Sequence, residues 1–153
     1  MGLGIIGILA MIFAAAAMAI LLLAAAVHIG CYANAPVLTW FSDDILHGAV
    51  MVVAFLCLLL HHYSLTPQFK WPALSSWLKF SPVWLQRFVL LLNLYCVAVW
   101  LSPAASYSHI TQSPVLPELW WLWRYSSVWM GVSACCLVLM FAVGRNPRFK
   151  IVL

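Results

Sequence analysis

Chemistry in this chain must come from few residues: 153 positions hold five histidines, three carboxylates, five cysteines and seven Lys and Arg. Four of these fall together if the first two apolar segments are antiparallel neighbours. His28 ends the first segment, while Asp43, Asp44 and His47 open the second. His47 follows the carboxylates by four and three positions, so a helix puts them on or near one face. Imidazoles and carboxylates at one membrane surface can hold a metal ion, bind a quinone headgroup or pass protons. His109, in the last connection, is a further candidate member. The competing reading of the same residues is structural, with carboxylates capping a helix and histidines hydrogen-bonded to backbone at a depth that water reaches.

His47 and His61 lie nearly four helical turns apart, about 21 Å along one face. Two-haem b-type cytochromes use such a spacing, but each level needs an axial histidine on a facing helix. Only His28 offers one, at the outer level, so His61 and His62 read as interfacial residues. A single haem b between His28 and His47 is the form that survives. No G-x-S-x-G, H-E-x-x-H or phosphate-binding glycine loop occurs, and no catalytic residue is assigned. Cys31, Cys57, Cys96, Cys135 and Cys136 contain no C-x-x-C pair and read as small buried residues.

The elements that must position these groups follow from composition. Hydrophobic residues make up 67% and charged residues 7% of the chain, against roughly 25% charged in a soluble domain. The expectation is an all-α polytopic membrane protein, a four-transmembrane-helix bundle with spans at about 3–30, 44–63, 82–102 and 118–143, forming one domain over 1–153. Met1 to Val27 has no polar side chain and would measure about 40 Å as a helix. A cleavable leader would have a basic start and a shorter apolar core, so this segment is expected to be retained. Ser42 with Asp43 and Asp44 starts the second span, and Ser81 with Pro82 at the first helical position starts the third, which Pro103 stops. The fourth begins near Pro117 and Glu118 and ends at Gly144 before Pro147. In the second connection, Trp71, Leu74 and Trp77 sit at helical spacing, which predicts a short interfacial helix over 72–79.

Lys70, Lys79 and Arg87 share one side with Arg145, Arg148 and Lys150. Asp43, Asp44 and Glu118 fall on the other, where Arg124 is the one cation. This places both termini in the cytoplasm or its equivalent. Because the cations flank spans, the net charge of +4 serves orientation and excludes nucleic acid as a partner. Trp40, Trp71, Trp77, Trp84, Trp100, Trp120, Trp121 and Trp123 lie near span ends and read as an interfacial belt. Arg124, two turns into its span, is expected to pair with Asp43 or Asp44, or else to snorkel to headgroups.

Gly7, Ala10, Ala14, Ala17, Leu21, Ala24 and His28 form a three-four seam of mostly small residues on the first helix, and Ser127, Gly131 and Cys135 form a second row on the last. Such rows bring helices close, within the chain or against another subunit. Asn93 and Tyr95 mark the middle of the third span, but no Asp, Glu, Lys or Arg lies at the midplane, which disfavours a pump. The leading functional expectation is a small non-catalytic subunit that docks on a larger membrane complex, with lipid and other membrane subunits as partners. Two alternatives stand beside it: a redox or metal-binding protein with haem b, quinone or a metal at His28 and His47, and a small homo-oligomeric channel or lipid-binding protein.

Overall fold

The computed structural model describes residues 2–33, 43–65, 81–102, 115 and 119–145. Four helices carry the architecture: α1 (Gly2–Tyr32), α2 (Asp43–Leu65), α3 (Val83–Leu101) and α4 (Trp120–Arg145). Each is long and apolar enough to cross a membrane, and no strand occurs among the described residues. Connection 72–79, where a surface helix is expected, lies outside the described residues, as does His109.

Local sequence explains the helix ends. The third helix differs from expectation in one detail, because Pro82 is itself the N-cap, with extended backbone (φ −61°, ψ 139°), and makes no side-chain cap. The Gln86 side-chain amide reaches back to the entering chain, donating to the Ser81 carbonyl at 2.9 Å and hydroxyl at 3.0 Å. At the far end the Ser102 N–H reaches the Ala98 carbonyl at 2.9 Å and its hydroxyl reaches Val99 at 2.6 Å. The two Ser102 bonds satisfy carbonyls that a helix C-terminus otherwise leaves open.

α4 is the hub. Of its most apolar stretch 72% is buried, against 22% for each of the other three. α1 runs antiparallel to it, so that Ala10, Ala17, Leu21 and Ala24 share a core with Trp129, Ala134, Leu137, Met140 and Val143, joined by Leu46, Val50 and Cys57 of α2 and Leu85 and Val89 of α3. The hub is the span richest in serine, and the physical reason is local. Ser126 and Ser127 donate to carbonyls three residues back, at 2.8 Å and 2.7 Å. Their polarity is thereby satisfied within the helix while their small size admits neighbours.

Both small rows are filled inside the chain. Gly7, Ala10, Ala17, Leu21 and Ala24 are buried and Ala14 is half-buried. On the second row, the Cys96 thiol donates to the Ser127 carbonyl at 2.9 Å. A Cβ at Gly131 would stand 2.9 Å from Asn93 Oδ1 and 3.3 Å from Cys96 Sγ. Cys135 is exposed but accepts from Asn93 Nδ2 at 3.5 Å. The rows therefore serve the packing of α1 and α3 on α4.

Candidate functional site

His28 is almost wholly buried where α1, α3 and α4 meet. Its Nδ1 lies 3.0 Å from the Trp123 carbonyl and 2.9 Å from Ser126 Oγ, and its Nε2 lies 2.6 Å from the Tyr95 hydroxyl. The proton positions follow from the partners. A carbonyl only accepts, and the Ser126 hydroxyl already gives its hydrogen to that same carbonyl, so Nδ1 carries the proton and Tyr95 donates to Nε2. Trp123 stacks on the imidazole at 5.4 Å and 18°, while Tyr32 and Tyr95 meet it edge-on at 5.7 Å and 5.6 Å. Both nitrogens are used, and an axial bond from His28 to a metal would have to displace Tyr95.

His47 stands elsewhere. It is exposed on α2, and the Trp129 indole N–H donates to its Nδ1 at 3.2 Å. An indole only donates, so the neutral ring keeps its proton on Nε2 and has no free lone pair. His28 and His47 thus bind different partners on α4, each with its acceptor nitrogen engaged by an aromatic donor. Among the described residues no three His, Cys, Asp or Glu are grouped to hold a metal ion. Asp44 is exposed, while the side chain of Asp43 lies outside the described set, as does its expected pairing with Arg124. His61 is buried and His62 half-buried near the other end of α2.

Arg124 is 8% exposed and lodged among aromatics. Its guanidinium carbon sits 5.6 Å, 5.2 Å and 5.8 Å from the ring centres of Trp100, Trp120 and Trp121, and one terminal nitrogen donates to the Ser102 carbonyl at 2.7 Å. The charge is held by ring faces and a helix-end carbonyl, which ties α4 to the end of α3.

Next to this cage the hub is uncovered. Trp121, Tyr125 and Cys135 are exposed, and Val128 and Val132 half-exposed. Their four-three-four-three spacing makes one stripe on α4. It lies between the side that meets α2 through Trp129 and the side that meets α3 through Gly131. α2 and α3 each pack on α4 and have no substantial interface with one another. Toward the C-terminal end of α4 the gap closes, since Leu139, Ala142 and Val143 are buried. The result is a slot open at the α4 N-terminal half, with Tyr125 on its floor. Tyr125 meets His47 at 6.3 Å, Trp100 at 6.1 Å and Trp121 at 6.2 Å, and stacks with Trp129 at 6.4 Å and 19°.

Compared with protein-family models, curated proteins and solved structures, the chain finds no match. Sequence reasoning placed His28 on an inward seam but missed its partners Trp123 and Ser126, which lie more than ninety positions away. It also missed the slot. The stripe 121, 125, 128, 132, 135 was present as a periodicity, but which helix face stays open depends on where three other helices land.

Proposed function

We propose that the chain is a small non-catalytic integral membrane subunit, with both termini cytoplasmic, that docks on a larger membrane assembly by receiving a partner helix in the slot between α2 and α3. The observation that carries this reading is the uncovered stripe on an otherwise buried hub. A helix hub in lipid gains from close packing on every side, and this one leaves the side carrying Trp121, Tyr125, Val128, Val132 and Cys135 open. The inward polar groups support the same reading, because His28, Asn93 and Arg124 each make a hydrogen bond that joins two helices.

A second reading places a planar redox ligand, such as a quinone headgroup or haem b, in the same slot beside His47. The exposed imidazole among Tyr125, Trp129 and Trp100 is what favours it. Native mass spectrometry of the protein released gently from its own membrane decides between the two. Co-release of another polypeptide, lost in Val128→Trp, supports the subunit reading. A chain carrying only a discrete non-protein adduct, lost in His47→Ala, overturns it in favour of the second.

A further inference from the structure

At the opposite end of the bundle a groove of about 230 Å³ runs between α1 and α4, lined by Ala10, Met11, Ala14, Met140, Phe141, Gly144 and Arg145. Its shape comes from missing side-chain volume. Ala10, Ala14 and Gly144 supply little bulk to its walls, and a Cβ at Gly144 would meet nothing within 4 Å. The space equals roughly eight methylene-sized groups, taking about 30 Å³ for each as for a water. Its walls are apolar except at one point. Arg145, in the last turn of α4, is exposed at the rim.

Charge around this rim has one sign. α1 begins and α4 ends here, so their dipoles oppose and largely cancel. What remains among the described residues is the full charge of Arg145, while Asp44 stands at the start of α2, toward the other end of the bundle. Depth also fits. Arg145 lies about one turn nearer the helix end than Phe141 and Met140, so an anion at the rim would send an attached chain past Met140 and Phe141 toward Ala10 and Ala14.

We propose that this groove is a binding site for one anionic phospholipid, with an acyl chain between α1 and α4 and the headgroup phosphate on Arg145. The site is separate from the slot between α2 and α3, and the proposal does not rest on the docking reading. An apolar groove in a membrane takes hydrocarbon by default; the cation at its mouth selects the headgroup. One Arg near a membrane surface corresponds to about a fivefold preference for an anionic lipid.

The test uses the full chain in detergent with equal dioleoyl phosphatidylglycerol and dioleoyl phosphatidylcholine, read by native mass spectrometry. The expected result is one retained lipid per chain with about a fivefold preference for phosphatidylglycerol. Arg145→Gln brings the two lipids to parity. Gly144→Leu, at a lining position where a Cβ meets nothing within 4 Å, lowers retention of both. Equal retention by Gly144→Leu and the unaltered chain overturns the site, and a phosphatidylglycerol preference that survives Arg145→Gln overturns the role of the cation. A lipid-free dimer that Gly144→Leu splits would mean that a second copy fills the groove, and overturns the lipid as occupant.

Discussion

Tyr95 on α3 gives its hydroxyl hydrogen to Nε2 of His28 on α1 at 2.6 Å, which joins two helices that otherwise lean separately on α4. Removing the hydroxyl leaves a buried imidazole nitrogen without a donor. Tyr95→Phe should cost about 1 kcal/mol, the usual scale for a hydrogen bond between membrane helices. In a double-mutant cycle with His28→Leu, measured by reversible unfolding in detergent, the coupling should be of similar size. Strict additivity would show that the pair is not formed.

Two glycines on the same helix should behave oppositely. Gly131→Ala puts a methyl group 2.9 Å from Asn93 Oδ1 and 3.3 Å from Cys96 Sγ, and should destabilise by about 1 to 3 kcal/mol. Gly144→Ala meets open space and should gain up to about 1 kcal/mol through helix propensity. Adding Asn93→Ala to Gly131→Ala should recover part of the loss, since Asn93 is the first atom met; thermal unfolding of the four variants reads this directly.

The five cysteines should divide by accessibility. Cys135 is exposed, while Cys31, Cys57, Cys96 and Cys136 are buried. In detergent, N-ethylmaleimide, which partitions into micelles, should add first at Cys135, more slowly than to a water-exposed thiol, with the remaining thiols reacting only on unfolding, as counted by intact mass. In the native membrane assembly the docking reading expects Cys135, at the inner end of the stripe, to react more slowly than in bilayers that hold the chain alone. Labelling at an equal rate in the intact assembly would count against a partner helix in the slot.

Arg124 should not tolerate lysine. A guanidinium offers flat faces to Trp100, Trp120 and Trp121 and directs a fixed N–H to Ser102, whereas an ammonium is a strongly hydrated point charge. Arg124→Lys should lose about 1 to 2 kcal/mol, and Arg124→Gln at least as much. A lysine variant as stable as the parent would mean that charge alone matters at this position.

Much of the fold was legible in the sequence because lipid imposes one pattern, about twenty apolar residues per crossing. Expected spans of about 44–63 and 82–102 meet helices at Asp43–Leu65 and Val83–Leu101. The seam through Ala10, Ala17 and Ala24 was likewise readable as a buried face, because only small residues recur there. Which span forms the hub was less plain. Ser126, Ser127, Ser133 and Gly131 make α4 less apolar than α1, and in a membrane that polarity is itself the mark of an inner helix. The bonds of His28 and His47 were not legible, since each depends on the rotation of two helices about their axes, and a turn of one residue would bring different side chains together.

That the hub is α4 also sets an order of events during synthesis. α1, α2 and α3 precede it in the chain, so a ribosome delivers all three before the surface on which they pack exists. α1 and α2 can meet early, since they touch directly. α3 has α4 as its main neighbour and must wait without its packing surface until Trp120 to Arg145 arrives. Chains stopped short of Trp120 would therefore be unassembled helices, open to quality control even though most of the apolar sequence had already been made.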